Sequence, residues 1–348
     1  MGEREVNEAG QAKRFGIDRT LWRMLMLVLF VILAAIGCFL SVAKGAADIS
    51  LSQIFTILLH PQAAPQDQII WNIRLPRMIV GALVGMNLAL SGCILQAVMR
   101  NPLADPHIIG ISSGAGISGI TVMILFPALE YLITPVAFVG AMAAAVAIYI
   151  LAWKNGIKPV RIILAGVAVS AFLGAGISGL LIFYSDRVNG ALMWMVGGLA
   201  ARSWPHVSII VPYAVVGLIL AVLSSHYLNI LQLGDDMAKG LGVHVEITRI
   251  VLTAIAALLA ASAVSVVGLL GFVGLVIPHI SRLILGSDYR YLVPGAAILG
   301  VAIVTLSDTF ARIVFAPVEL PVGIIMAFIG APFFIWLLIH QRRRGSHD

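Results

Sequence analysis

Nine predominantly apolar stretches of this 348-residue chain outside the Pro-containing segment 44–77, each 17 to 32 residues long, contain no Asp, Glu, Lys or Arg. About 20 consecutive apolar residues suffice for a helix to cross a hydrocarbon core of about 30 Å, so these runs read as membrane spans. Composition agrees: 60% of residues are hydrophobic and 11% charged, with a mean hydropathy of +1.03, where soluble domains sit at roughly 45–50% and about 25%. So much apolar surface cannot be buried in a water-facing fold. The chain is therefore read as an all-α polytopic membrane protein, and disordered, collagenous and disulfide-scaffold classes are excluded. The 34 glycines fit the tolerance of membrane helices for Gly. Cys38 and Cys93 lie inside apolar runs without metal-ligand spacing and read as packing residues.

The runs cover residues 24–43, 78–99, 108–129, 131–153, 162–185, 203–234, 250–281, 291–307 and 320–341. The seventh is interrupted by Gly268-Leu-Leu-Gly271-Phe-Val-Gly274 and reads as two spans joined by a tight turn, one of them ending near Pro278. About ten transmembrane helices are thus predicted. A polar stretch precedes the first run and no small-residue cleavage site follows it, which predicts a retained helix rather than a secretory signal. With an even number of spans both termini share one side. If that side is the cytoplasm, 16 of the 22 Lys and Arg residues fall inside and 6 outside, in accord with the positive-inside rule. The predicted organisation is a cytoplasmic tail over residues 1–20, a single transmembrane domain over 21–341 and a basic cytoplasmic tail over 342–348, in the cytoplasmic (inner) membrane. The outer segment 44–77 contains the loop-like stretch His60-Pro-Gln-Ala-Ala-Pro-Gln. Residues 188–201 are too few to cross and read as an interfacial or re-entrant helix.

The chemistry on offer is sparse. No Walker A pattern and no HExxH occurs, and no Ser, His and carboxylate triad can be assembled, so the chain is read as having no catalytic residue, no metal site and no nucleotide site of its own. His279, after Pro278, reads as a polar helix-end residue. GxGxxG occurs twice, at Gly114–Gly119 and Gly174–Gly179, but inside apolar spans, where small residues serve close helix packing rather than dinucleotide binding. The net charge of +6 reads as topology, not nucleic-acid affinity. The span centres lack the ionisable groups that ion-coupled carriers use, so the energy source is expected in a partner. On the outer side Arg74, Arg77 and Arg312 run against the general charge bias; they fit either lipid-phosphate anchoring or an acidic extracellular partner, and Asp308 with Arg312 forms an i,i+4 pair.

Arg74-Leu-Pro-Arg77, Ser91-Gly-Cys-Ile-Leu-Gln96, Arg100-Asn-Pro-Leu-Ala-Asp-Pro106 and Gly110-Ile-Ser-Ser-Gly-Ala115 stand in order along the chain. Trp194-Met-Val-Gly-Gly-Leu199, Leu233-Gly-Asp-Asp-Met-Ala-Lys-Gly-Leu-Gly242, Gly271-Phe-Val-Gly-Leu-Val-Ile-Pro-His279, Glu319-Leu-Pro-Val-Gly323 and Gly330-Ala-Pro-Phe-Phe334 follow them. Over roughly residues 20–340 the sequence resembles the FecCD-type permease subunits of ABC importers for iron chelates, haem and vitamin B12. The resemblance implies the type II importer permease fold. It also implies a second permease subunit, expected as a homodimer, two cytoplasmic ATPase subunits that hold ATP and Mg, and a periplasmic or lipid-anchored binding protein. Membrane lipid is the remaining partner, and the chain itself needs no cofactor.

Residue by residue, Leu233, Gly234, Asp235, Asp236, Met237, Ala238, Lys239, Gly240, Leu241 and Gly242 resemble the family's ATPase-coupling segment. Arg74, Arg77 and Arg312 resemble arginines that meet carboxylates of the binding protein, and Ser170, Gly174, Ser178 and Trp194 are the translocation-pathway candidates. The leading expectation is a permease subunit of an ATP-driven importer of iron-siderophore, haem or cobalamin. The alternative is an ion-coupled carrier or channel acting alone.

Overall fold

The computed structural model describes residues 18–45, 49–60, 64–107, 110–153 and 159–345. In chain order its α-helices of six or more residues are α1 (Arg19–Ala43), α2 (Leu51–Leu59), α3 (Leu75–Val98), α4 (Ile111–Leu125), α5 (Ile133–Ala152), α6 (Pro159–Phe183) and α7 (Val188–Val196). There follow α8 (Trp204–Leu223), α9 (Ser225–Gln232), α10 (Asp235–Gly240), α11 (Val245–Val267), α12 (Val273–Leu285), α13 (Tyr289–Ile313) and α14 (Val322–Gly345). No strand is present among the described residues. Seven apolar helices are long enough to cross a membrane, and α4, α12 and the Val322–Leu337 part of α14 are shorter apolar helices, which accounts for the ten predicted spans. Most of the predicted N-terminal tail and the last three residues of the basic tail lie outside the described residues.

Three details differ from the sequence reading. The run 203–234 breaks at Ser224 into α8 and α9. The outer segment contains a helix, α2, started by a capping box in which Ser50 and Gln53 satisfy each other's backbone N–H groups. Helix α12 does not end near Pro278 but runs through it to Leu285. A proline there leaves the carbonyl four residues back, Gly274 O, without its helical donor; Gln96 Nε2 of α3 donates to it instead at 3.3 Å.

Helices α3, α11 and α13 form the centre, and α1, α5, α6 and α8 surround them with Leu, Val and Phe side chains turned outward. Lipid tails are as apolar as leucine, so association here rests on close packing and interhelical hydrogen bonds. A Cβ on Gly92 of α3 would overlap the Gly274 carbonyl of α12, and one on Gly85 would overlap the Gly300 carbonyl of α13. Asn87 Nδ2 donates to Ser262 Oγ at 3.0 Å and Ser91 Oγ to the Ala256 carbonyl at 2.6 Å, stitching α3 to α11. The two GxGxxG copies part company. Gly114 sits against Gly140 of α5, whereas Gly174 and Gly179 of α6 have no atom within 4 Å of a Cβ position.

Candidate functional site

At the end of the bundle where α1 begins, α9 and α10 project between α8 and α11. Asn229 fixes α9 to the start of α13: its Nδ2 donates to Asp288 at 3.0 Å and its Oδ1 accepts from Tyr289 N at 2.9 Å. Burial alone would raise the Asp288 carboxyl, but hydrogen bonds from Arg290 and Asn229 outweigh it and hold it down at about 2. Helix α10 follows Gly234, whose φ of 103° needs a glycine, and its charges suit the helix dipole, with Asp235 and Asp236 in the first turn and Lys239 in the last. Ala238 is fully buried, while Leu233, Met237 and Leu241 are 44%, 60% and 57% exposed. Met237 and Leu241, four residues apart on α10, form an outward stripe, and Leu233, in the turn before Gly234, is a third exposed apolar side chain beside it. The predicted segment 233–242 is thus a short helix with a polar attachment beneath and an apolar face outside.

A second feature lies deeper. Helix α12 has 13 residues and α4 has 15, so at 1.5 Å per residue they fall short of the roughly 30 Å hydrocarbon core. The segments that adjoin them, 101–107 and 268–272, therefore lie within bilayer depth. Irregular backbone is tolerated there only where protein buries it or it lines a cavity. Both do so: a cavity of about 700 Å³ is lined by Asp105 and His107 from the first, Leu269, Gly271 and Phe272 from the second, and Ile324, Ala327 and Phe328 of α14. Asn101 Oδ1 accepts from Leu103 N at 2.9 Å and Asp105 Oδ1 from His107 N at 2.8 Å, which fixes the first turn. Phe272 has φ +66°, a left-handed conformation uncommon outside Gly. Its ring occupies the space that a Cβ on Gly330 of α14 would need.

The 268–272 turn is tied to two neighbours. Leu269 N donates to the Trp194 carbonyl at 3.2 Å, Gly198 N to the Val267 carbonyl at 2.9 Å and Gly323 N to the Gly197 carbonyl at 3.1 Å. None of the four predicted pathway residues lines the cavity, although Met195 and Val196 do. Trp194 is 6% exposed, its ring packed over Gly119. The Ser170 hydroxyl faces Gly110, while Gly174 and Ser178 lie on the outward side of α6, joined by a 3.0 Å hydrogen bond from Ser178 Oγ to the Gly174 carbonyl.

At the opposite end the three predicted docking arginines meet, turned inward and only 3% (Arg74), 7% (Arg77) and 7% (Arg312) exposed. Arg77 grips Asp308 with Nε and Nη2 at 3.0 and 2.9 Å and reaches Glu319 with Nη1 at 2.7 Å. Arg312 lies 3.2 Å from Asp308, the predicted i,i+4 pair. Arg312 also donates to the Ser41 and Lys44 carbonyls at 3.0 Å each, and Arg74 to those of Val42 and Ala43 at 2.9 and 3.1 Å. The last carbonyls of α1, which have no intrahelical donor, are thereby capped by two cations, as the helix dipole favours. The sequence offered no pointer to this capping, since the partners are backbone atoms of another helix.

The sequence matches the FecCD transport family over residues 33–340. It is 36% identical over 319 residues to the Fe(3+)-citrate import system permease protein YfmD of Bacillus subtilis, covering 92% of this chain and 96% of that protein. To the hemin transport system permease protein HmuU of Yersinia pestis it is 39% identical over 335 residues, covering 92% and 96%. To the cobalamin import system permease protein BtuC of Halobacterium salinarum it is 42% identical over 278 residues, covering 80% and 75%. Among solved structures it is similar to an inward-facing metal-chelate type ABC transporter, with a TM-score of 0.81 and 29% identity over 90% of this chain and 98% of that one.

Proposed function

This chain belongs to the FecCD transport family and is a permease subunit of the ABC importers for iron chelates, haem and cobalamin, and from that premise we propose how its parts divide the work. The end carrying α10 faces the cytoplasm, both termini lie on that side of the inner membrane, and a separate ATPase subunit seats α10. The carrying observation is the Leu233, Met237 and Leu241 patch, three large apolar side chains exposed at a membrane protein's aqueous end. Such a patch fits an apolar groove on a partner, helix in groove. Met237→Glu together with Leu241→Glu is expected to lower ATPase retention on the purified permease at least about tenfold, because two carboxylates would be desolvated without partners. Retention unchanged in a pull-down assay removes the assignment.

A second copy of the chain would complete the pathway. Support comes from α6, where Ala168, Ala171, Ala175 and Ser178 are exposed and Gly174 and Gly179 leave open space. Small residues on one face let helices approach closely across a two-fold axis. The cargo then passes between the α6 faces and the cavities under α14, and Ser170, Gly174, Ser178 and Trp194 act on its walls or just behind them. A substrate-binding protein docks at the opposite end, where Glu319, with its side chain 38% exposed, is the accessible member of the arginine and carboxylate cluster. A partner carboxylate arriving there would share Arg77, with Arg74 and Arg312 behind it.

The test is reconstitution in liposomes with the ATPase and the binding protein, followed by uptake of labelled ferric citrate, ferric hydroxamate, haem and cobalamin side by side. ATP-dependent uptake of one of them is expected, and none by the permease alone. Uphill accumulation by the permease alone, driven by an ion gradient, favours the single-chain carrier instead.

A further inference from the structure

We propose that the Asp235 and Arg249 ion pair is a latch that carries displacement of α10 along α11 to the turn 268–272 at the cavity. Arg249 is then a positioning residue of the transport cycle, an inference that rests on α10 being the ATPase contact. Helix α10 is six residues long, lies between glycines at φ 103° (Gly234) and 81° (Gly242), and buries only Ala238 beneath it. Its ionic fastening is the carboxylate of Asp235. Arg249 Nη1 donates to Oδ2 at 3.0 Å and Nη2 to Oδ1 at 2.7 Å, a two-pronged pair that fixes orientation as well as distance. The Arg249 side chain is 4% exposed and that of Asp235 is 40% exposed, so the anchor is inside and the handle outside. Arg100 adds a third bond to Asp235 at 3.2 Å, but its side chain is 45% exposed, and water screens it.

Arg249 lies in the first turns of α11, and from Leu252 onward most of that helix is buried against α3, α5 and α8. A close-packed rod does not absorb displacement along its length. Its far end is Val267 and Gly268, where the chain is bonded to Gly198 and, through Leu269, to Trp194. The next residues, Leu269, Gly271 and Phe272, line the cavity. One rigid element therefore has the latch at one end and the cavity turn at the other. A single ammonium on a flexible stem cannot reproduce the planar grip, so lysine is a poor substitute at position 249.

The experiment uses the permease and ATPase complex in lipid nanodiscs, with Cys38→Ser and Cys93→Ala and a reporter cysteine, Leu269→Cys. The rate of labelling by a polar maleimide is read with and without ATP plus vanadate, and ATPase retention and hydrolysis are measured on the same samples. In the parent, nucleotide should change the labelling rate by about tenfold; in Arg249→Lys and Arg249→Gln the change should fall below about twofold while the ATPase stays bound and active. The charge exchange Asp235→Arg with Arg249→Asp should restore at least about half of the response. A full response in Arg249→Gln overturns the latch. So does a charge exchange that assembles but restores nothing, or failure of all three variants to assemble, which assigns the pair to stability alone. A parent without any nucleotide response sinks the ATPase reading first, and this inference with it.

Discussion

Asp308→Asn is expected to destabilise the protein by about 3–5 kcal/mol, the cost of stripping the counter-charge from buried guanidiniums. The side chains of Arg77, Arg312 and Asp308 are 8%, 4% and 2% exposed, and this one carboxylate serves both cations. Asparagine keeps the shape and removes the charge, leaving Glu319 as the cluster's other carboxylate partner for Arg77. The effect should appear as a lowered unfolding midpoint in detergent and as faster proteolysis at Lys44, because Arg312 also holds the end of α1. Glu319→Gln is the comparison. With its side chain 38% exposed, Glu319 belongs to a pair that solvent screens, and its loss should cost under about 1 kcal/mol. Equal, small effects for the two variants would show that water reaches the whole cluster.

Gly92→Leu should prevent a folded product. Position 92 faces the backbone of Gly274, so the obstacle is a carbonyl and not the movable tip of a side chain. Overpacking typically costs about 1–3 kcal/mol where neighbours can shift; here α3 and α12 must separate, and more than about 4 kcal/mol is expected, in the exceptional range for single substitutions. The separation also removes the Gln96 bonds to the Gly274 and Leu275 carbonyls, both 3.3 Å. Size-exclusion chromatography should show aggregate in place of a single peak. Gly174→Ala, where a Cβ meets nothing within 4 Å, should keep the peak and change stability by no more than about 0.5 kcal/mol. A well-behaved Gly92→Leu protein would mean that the two helices are not in backbone contact.

What the sequence revealed followed from what it encodes locally. The ten spans were legible because a charge inside hydrocarbon is costly wherever it stands, so its absence marks each crossing without reference to neighbours. The break at Ser224 was not, since hydropathy does not change across it. Nor was the passage of α12 through Pro278, which depends on Gln96 arriving from another helix. Helix α2 was missed although Ser50 and Gln53 stand at capping-box spacing. At the site, the pairing of Met237 with Leu241 on one face follows from helical periodicity, whereas the pairing of Asp235 with Arg249, 14 residues on, is a property of the fold. The arginines tell the same story: the sequence shows three cations and the i,i+4 neighbour Asp308. Only the folded chain brings Glu319 and the carbonyls of α1 to them. Trp194 was placed on the pathway by resemblance, yet Gly119 and Gly268 leave room that takes it into the body of the bundle.

The attachment of α10 also sets an order of events during synthesis. Its carboxylate is held by Arg100, 135 residues earlier, and by Arg249, 14 residues later. A ribosome that has just released α10 has delivered only the weaker, water-screened of its two fastenings. The outward stripe takes its final direction once α11, the seventh of the ten crossing helices, has been made and inserted. Nascent fragments that stop before α11 thus carry an α10 whose carboxylate is held by the exposed Arg100 alone.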